Sequence, residues 1–154
     1  MSTIAIKRLN KELSSLQSDK NKINGITIEN PNDIMIWNAT ITGPADSPYE
    51  KGVFKMLIRF NEEYPVKAPS VKFLTPMFHP NIYRDGKICV DILQAEWTPA
   101  QNVRTILLSV MSLLTDPNPS SPANRDAAIL YSTNKKEYDI KVCEFIEVNK
   151  NNII

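Results

Sequence analysis

Both ends of the chain carry hydrophobic residues at helical spacing. Near the N-terminus, one stripe contains Ile6, Leu9, Leu13 and Leu16. The segment from about Asn134 to Asn149 mixes charged residues with Tyr138, Val142, Phe145 and Ile146. Each pattern predicts an amphipathic surface helix that docks through its apolar stripe. All 11 prolines lie between Pro31 and Pro122, so neither helix contains the residue that most strongly breaks helices.

The middle of the chain alternates hydrophobic and polar residues with the period of two that predicts β-strands. The clearest stretches are Ile34 to Ile41, Val53 to Phe60 and Val71 to Leu74, with a weaker one near Gly25 to Glu29. In the second stretch, every other residue is apolar and the residues between include Lys55 and Arg59. We therefore expect about four strands in succession, forming an antiparallel meander with one apolar face.

Two further helices are expected before the C-terminal one. From Val103 to Leu114, hydrophobic residues cover almost the whole circumference, which predicts a buried central helix. Ser121 followed by Pro122 is typical of an N-cap and a first helical residue, and predicts a short helix to about Tyr131. The expected fold is α+β: a four-stranded antiparallel meander with an N-terminal helix, a buried central helix and two C-terminal helices. Residues 1–154 are expected to form a single domain.

Charge and composition exclude several functional classes. With 18 basic and 17 acidic residues the net charge is +1, so no global field would attract nucleic acid or an acidic membrane, and neither is expected as a direct partner. The N-terminal segment is charged where a signal peptide would be apolar, and no long apolar run exists. We therefore expect an intracellular protein of the nucleus, the cytoplasm or both, with no membrane span.

Cofactor and metal chemistry also find little support in the composition. The chain has 2 cysteines and 1 histidine, too few for a disulfide framework or a zinc cage. Its 4 glycines cannot be arranged into a phosphate-binding loop. Neither a metal ion nor a bound cofactor is expected.

The segment from Thr75 to Gln101 has little periodicity and is the candidate functional region. Loops of this length inside a compact domain are usually functional. This one holds His79, the only histidine, and Cys89 beside several hydrophobic residues. Cys89 could be a small buried hydrophobe or a nucleophile, because free cysteine is often buried but its thiolate is intrinsically reactive. The residues alone leave both interpretations open.

The segment contains three short motifs: His79-Pro80-Asn81, then Cys89 followed by Val90-Asp91-Ile92-Leu93, and Trp97-Thr98-Pro99. These motifs resemble those of the ubiquitin-conjugating enzymes. Tyr64-Pro65, Asp116-Pro117-Asn118-Pro119 and the order of the elements extend the resemblance over about residues 4 to 150. The resemblance implies that Cys89 accepts ubiquitin as a thioester from an activating enzyme and passes it, with a ligase of the RING type, to substrate lysines. ATP would be consumed upstream.

The resemblance also implies roles for residues around Cys89. Asn81 would stabilise the oxyanion or brace its loop, and both roles stay open. His79 and Pro80 would be structural, with the histidine bonding to the loop backbone. Tyr83 and Ser121 match positions that surround the acceptor lysine, and Asp91 would assist the acceptor or brace the loop. Many relatives carry Asp in place of Ser121, and a hydroxyl attracts a lysine ammonium less than a carboxylate does.

Two partner surfaces follow from the same resemblance. The first helix would meet the activating enzyme and the ligase, which makes Lys7, Arg8 and Lys11 candidates for contact with acidic partners. The ligase-docking positions match Val66, Trp97, Thr98 and Pro99. The alternatives are a merely solvated helix face and a stiff, proline-flanked turn at Val66.

The subgroup is indicated by shorter motifs. Trp37-Asn38-Ala39 and Ser121-Pro122-Ala123-Asn124 are similar to the DNA-repair and histone-monoubiquitinating subgroup. The segment from Val103 to Leu108 is similar to the subgroup that builds lysine-63 chains. We favour the first subgroup.

Three other functions stay open on the sequence. The same fold could serve as a non-catalytic ubiquitin-binding scaffold, although such variants typically lack the cysteine. The chain could carry a ubiquitin-like protein instead of ubiquitin. It could also be a thiol hydrolase that uses Cys89 as nucleophile and His79 as base.

Overall fold

The computed structural model describes residues 3–154 and consists of a four-stranded antiparallel sheet with helices packed against it. The N-terminal part contains α1 (Thr3–Gln17), β1 (Ile26–Ile28), β2 (Ile36–Thr42), β3 (Val53–Arg59) and β4 (Ser70–Phe73). A 3₁₀ turn at Asp91–Leu93 leads to α2 (Val103–Thr115), α3 (Arg125–Thr133) and α4 (Lys135–Asn149). The strands follow one another in the sheet as β1-β2-β3-β4, which confirms the predicted α+β class and meander.

One face of the sheet forms the core. The pairing of β2 with β3 places Trp37 opposite Ile58, Ala39 opposite Met56 and Ile41 opposite Phe54, all of them buried. Lys55 and Arg59 project from the other face and are exposed. Each large apolar side chain buried in this way contributes about 1.5–3 kcal/mol, so the alternation fixes which face of each strand turns inward.

The predicted central helix is confirmed as the buried layer over the sheet. Its inward residues are Val103, Ile106, Leu107, Val110 and Leu114. Asn102 caps its first turn by accepting a hydrogen bond from the Thr105 backbone N–H at 2.9 Å, and the Thr105 hydroxyl oxygen accepts one from the Asn102 N–H. This reciprocal capping box starts the helix at Val103.

Two elements begin at least two residues later than the sequence predicts, and the other strand boundaries agree with the prediction to within one residue. β2 begins at Ile36 because the Asp33 side chain accepts a hydrogen bond from the Met35 N–H at 2.9 Å, which closes a turn before the strand. The predicted start of α3 at Ser121 and Pro122 is wrong. Asn124 is the N-cap, accepting from the Ala127 N–H at 3.1 Å, and the helix begins at Arg125.

The apolar stripe of α1 is also shifted. Ala5, Leu9 and Leu16 are its buried residues, whereas Ile6 and Leu13 are only half-buried. Small residues such as Ala5 allow a close approach of the helix to its neighbours, which hydrophobicity alone does not indicate. Of the four apolar residues predicted to dock α4, Tyr138 and Val142 are buried, whereas Phe145 and Ile146 are half-buried. Within residues 3–154, no helix has both the length and the apolar character needed to cross a bilayer.

Candidate active site

The loop between β4 and α2 contains a tight hairpin, residues 82–88, docked on the sheet. The Tyr83 N–H donates to the Lys87 carbonyl at 2.9 Å, and the Gly86 N–H donates to the Tyr83 carbonyl at 2.9 Å. The Gly86 carbonyl accepts from the Phe73 N–H of β4 at 2.8 Å. Gly86 has φ +91°, and a Cβ there would lie 2.0 Å from the Phe73 carbonyl oxygen. Only glycine satisfies both requirements.

Cys89 follows this hairpin and is tied to the HPN segment, residues 79–81. Its N–H donates to the Asn81 carbonyl at 2.8 Å. Cys89 is half-buried and free of any disulfide. Reactive cysteines are partially exposed, whereas structural ones are commonly buried, so this placement fits a nucleophile better than a packing residue.

His79 has no free nitrogen for base catalysis. Its Nδ1 accepts from the Asn81 N–H at 2.9 Å, and its Nε2 lies 2.6 Å from the Leu113 carbonyl at the end of α2, an arrangement that requires Nε2 to donate. Burial lowers the pKa of His79 to about 4, so the imidazole is neutral at physiological pH. The thiol-hydrolase alternative needs a titratable imidazole nitrogen facing the thiol, and this geometry contradicts it.

Asn81 joins the HPN segment to the loop after α2. The residue is 1% exposed. Its Oδ1 accepts from the Asn118 N–H at 2.8 Å, and its Nδ2 donates to the Asn118 carbonyl at 2.7 Å. A third, longer contact of 3.5 Å joins Nδ2 to the Ser121 carbonyl. The side chain therefore braces the loop that carries Ser121, and one Nδ2 hydrogen is only weakly bound.

Pro80 explains why α3 starts later than predicted. Its carbonyl accepts hydrogen bonds from the Ala123 N–H at 2.8 Å and the Asn124 N–H at 3.0 Å. These bonds hold the residues before α3 against the HPN segment, so Ser121 lies in the loop before the helix and not at its N-terminus. Consecutive residues 79, 80 and 81 thus anchor α2, the start of α3 and Cys89 to one another.

The three residues predicted to surround the acceptor lysine are exposed and have free side-chain polar groups. Tyr83 is 45% exposed, and Asp91 and Ser121 are also exposed. Within residues 3–154, none of their side-chain oxygens takes part in a hydrogen bond or an ion pair. The bracing at Asp91 comes from its backbone carbonyl, which accepts from the Gln94 N–H at 3.0 Å and the Glu96 N–H at 3.1 Å. These three side chains are free to contact a bound molecule.

Comparisons with known proteins identify the family. The sequence pattern of the family described as "Ubiquitin-conjugating enzyme" matches residues 8–146. The chain belongs to this family. It is 50% identical to "Ubiquitin-conjugating enzyme E2 2" of Kluyveromyces lactis over 148 residues, which cover 96% of this chain and 89% of the relative. It is 49% identical to the protein of the same name from Eremothecium gossypii over 148 residues, covering 96% and 86% of the two chains.

This ubiquitin-conjugating enzyme is therefore a transferase of the ubiquitin-like conjugation pathway, and its family implies ubiquitin, an activating enzyme and a ligase as partners. The fold predicted from the motif resemblance is confirmed. Within residues 3–154, no group of three or more His, Cys, Asp or Glu side chains is arranged to hold a metal ion.

The predicted ligase-docking residues lie on two adjoining loops of the enzyme. The Trp97 indole N–H donates to the Pro65 carbonyl at 3.0 Å, and the Trp97 ring centroid lies 6.0 Å from that of Tyr64. Val66, the next residue, is 69% exposed. Thr98 and Pro99 are also exposed. The two loops form one surface with an apolar centre.

Arg8 belongs to this surface and is not a free cation. Its guanidinium donates to the Pro99 carbonyl at 3.2 Å and to the Gln101 carbonyl at 2.6 Å. It also lies 5.7 Å from the centre of the Tyr64 ring. Lys7 and Lys11 are exposed on the same helix. Of the three predicted cations, Arg8 has a structural role beneath the docking surface.

The sequence analysis missed Glu12, which links three elements. One carboxylate oxygen accepts from the Arg8 Nε at 2.9 Å and from the Tyr64 hydroxyl at 2.6 Å. The other accepts from the Val103 N–H, the first residue of α2, at 2.7 Å. Burial and the bond to Glu12 raise the pKa of Tyr64 well above its usual range, so the phenol stays protonated and donates. An acidic residue in a basic amphipathic helix was the only available signal.

Proposed function

We propose that Cys89 receives ubiquitin as a thioester and passes it to a lysine amine. The observation that carries this proposal is a half-buried, free Cys89 held beside a buried Asn81, with the histidine of the same segment buried, neutral and bonded through both ring nitrogens. Such a site suits exchange between thioesters, because the incoming carbonyl is already activated. The Cys89 sulfur forms the new C–S bond as the thiol of the activating enzyme leaves. In the second step the lysine nitrogen forms an amide bond and the Cys89 thiolate leaves.

Asn81 is proposed to serve this second step in two ways. Its bonds to the Asn118 backbone hold its side chain in one orientation. The Nδ2 hydrogen that reaches the Ser121 carbonyl at 3.5 Å is weakly bound and can instead donate to the oxyanion of the tetrahedral intermediate. The bracing role and the catalytic role then depend on the same amide.

Tyr83, Asp91 and Ser121 are proposed to surround the acceptor lysine. Their free polar groups lie in the hairpin before Cys89, the turn after it and the loop braced by Asn81. The Asp91 carboxylate can attract the lysine ammonium, whereas the Ser121 hydroxyl can only form a hydrogen bond. The lysine ammonium gives up one proton to water before attack, and the second proton, released as the amide forms, passes to the departing Cys89 thiolate or to water.

The partner surfaces are proposed to divide between activation and ligation. Exposed Lys7 and Lys11 face acidic groups of the activating enzyme, and Val66, Trp97, Thr98 and Pro99 receive a ligase of the RING type. We further propose that the chain acts as one domain, that its cargo is ubiquitin, and that it belongs to the DNA-repair and histone-monoubiquitinating subgroup. It would act in the nucleus, the cytoplasm or both.

The transfer step can be tested on isolated thioester. The protein is charged with ubiquitin by an activating enzyme and ATP, the ATP is removed, and free lysine or arginine is added. Lysine should discharge the thioester faster than arginine, because both carry an α-amino group but only lysine adds an ε-amine, whereas a guanidinium stays protonated and is a poor nucleophile. Charging with a ubiquitin-like protein in place of ubiquitin would change the proposed cargo. A folded protein that charges with neither would support the scaffold alternative.

A further inference from the structure

A cleft of about 570 Å³ opens between the hairpin, the start of α3 and one face of α4. Its floor is apolar: the Phe78 and Phe145 rings lie against each other, tilted by 41°, with centroids 6.0 Å apart. Its rim is strongly basic, with Arg84 from the hairpin, Arg125 from α3 and Lys141 from α4. Nothing in the proposed chemistry of Cys89 uses these three cations.

The three cations have no partner in the described part of the chain. Across residues 3–154, the side chains of Arg84, Arg125 and Lys141 form no hydrogen bond and no ion pair. One carboxylate, Asp126, also lines the cleft. Three unpaired cations against one anion leave an excess positive charge in a concave site, where a field is less screened than on a flat surface.

The cleft lies beside the HPN segment of the candidate active site. The Ala123 and Asn124 N–H groups, on the α3 side of the cleft, bond to the Pro80 carbonyl. The next residue along the chain, Asn81, accepts from the Cys89 N–H. Arg84 directly follows Tyr83, which is one of the residues proposed to surround the acceptor lysine. The cleft therefore adjoins the two segments that carry Tyr83 and hold Cys89 in place.

The size and chemistry of the cleft favour a short peptide. Its volume is within the range of about 300–1,000 Å³ that accommodates small ligands or a few side chains. The Phe78 and Phe145 floor suits the apolar parts of a peptide. The net charge of +1 also gives no wider field for nucleic acid.

We infer that this cleft binds an acidic segment of the acceptor protein, with Asp or Glu side chains paired to Arg84, Arg125 and Lys141. The bound segment presents a neighbouring lysine to the thioester. The cleft thereby selects lysines that have carboxylates nearby in the folded acceptor or its tail. This selection rests on the proposed function of Cys89, whereas the binding of the acidic segment does not.

Binding is tested first on the protein without ubiquitin on Cys89. Fluorescence anisotropy is measured with a labelled, lysine-containing peptide rich in Asp and Glu. The matched peptide replaces these residues with Asn and Gln. The acidic peptide should bind more tightly at low salt, and Arg125→Gln/Lys141→Gln should weaken it about five- to tenfold, since it removes two partly exposed ion pairs. The control Lys20→Gln/Lys136→Gln, which removes the same charge outside the cleft, should bind like the parent chain.

Discharge is tested next, with the same two peptides added to isolated thioester. The acidic peptide should react several-fold faster than the neutral one, and the ratio should fall towards one with added salt and in Arg125→Gln/Lys141→Gln. Equal binding of the two peptides, or equal loss in the control variant, overturns the inference. Tighter binding of a single-stranded oligonucleotide in the cleft overturns it in favour of nucleic acid. A chain that binds the acidic peptide but never forms a thioester refutes the function of Cys89 and leaves the cleft assignment standing.

Discussion

At the scale of single residues, His79 and Asn81 show how the HPN segment is built from inward-facing polar groups. Both side chains are buried, and each bonds to the backbone of a different element. A buried polar group without a partner would cost about 1–3 kcal/mol, so these bonds are a condition for burying the segment at all. The rigid segment then fixes Cys89 through one backbone bond.

The buried His79 predicts a specific dependence of stability on pH. Its pKa is lowered to about 4 in the folded protein, whereas in the unfolded chain it is near 6.5. Below pH 6.5 the unfolded state therefore binds a proton that the folded state does not, and the free energy of unfolding falls as the pH drops towards 4. The expected loss between pH 7.5 and pH 5 is about 2 kcal/mol, measured by urea unfolding.

The fall in the free energy of unfolding between pH 7.5 and pH 5 can be attributed to His79 because the chain has 1 histidine. His79→Gln should be less stable at pH 7.5 but should lose much less of its remaining stability between pH 7.5 and pH 5. A parent protein whose unfolding free energy is flat over this interval would contradict the neutral, buried imidazole.

Asn81→Asp tests the amide that is proposed to serve both bracing and catalysis. The substitution keeps the shape but places a carboxylate oxygen against the Asn118 carbonyl, which now lies 2.7 Å from Nδ2. We expect a loss of about 1–3 kcal/mol in urea unfolding. Discharge of the thioester to lysine should slow about 10²- to 10³-fold, as for loss of an oxyanion donor.

Asn118→Ala is the matched control for that experiment. Asn118 contacts Asn81 only through its backbone, and its side chain bonds to Ser120 alone. The control should keep both stability and discharge close to those of the parent. An Asn81→Asp protein that loses stability but discharges normally would reduce Asn81 to a brace.

At the scale of elements, Glu12 holds α1, the Tyr64-Pro65 loop and the start of α2 together. The two Glu12 carboxylate oxygens accept three hydrogen bonds, and Glu12→Gln replaces one of these oxygens with an NH2 group that cannot accept. At least one of the three bonds is therefore lost, and a buried donor is left unpaired. The expected cost is about 1–3 kcal/mol, measured by urea unfolding. Glu63→Gln, which removes only an exposed pair with Lys67, should change stability little. Equal effects of the two substitutions would contradict the linking role.

The elements also show what the sequence can and cannot predict. Strict alternation in β3 predicted its buried face, because a one-residue slip would expose every apolar side chain. The start of α3 was wrong because Ser121 and Pro122 form a good local start signal that the Pro80 carbonyl overrides through Ala123 and Asn124. Such a bond joins residues more than 40 positions apart, which no local pattern records.

For the candidate site, too, the sequence predicted some features and missed others. Cys89 and the HPN segment were found from motif resemblance, and the structure adds that residues 79–81 each anchor a different part of the chain. Arg8 was predicted as a free cation, yet it bonds to the Pro99 and Gln101 carbonyls. Its partners are remote in sequence, so its burial could not be read from the helix pattern.

At the scale of the whole molecule, charge is distributed unevenly although the net charge is +1. The first 22 residues contain five basic and two acidic side chains. Lys7→Ala/Lys11→Ala should therefore slow thioester formation about five- to tenfold at low salt when the activating enzyme is present at a limiting concentration. The effect should lie mainly in the association rate. The difference should shrink as salt is added.

The control for this electrostatic effect is Lys20→Ala/Lys136→Ala, which removes two positive charges outside α1. Initial charging rates measured at several salt concentrations should separate the two variants. If both variants slow charging equally, the effect reflects net charge and not a docking face on α1.

The central claim, that Cys89 carries the thioester, is tested most directly by intact-mass measurement after incubation with activating enzyme, ubiquitin and ATP. The account predicts a single added mass of one ubiquitin less one water in the parent and in Cys143→Ala, removed by excess thiol. In Cys89→Ser the same mass should persist in thiol as an oxyester, and in Cys89→Ala it should be absent. A thiol-sensitive adduct on folded Cys89→Ala, or none on the folded parent, would contradict the account.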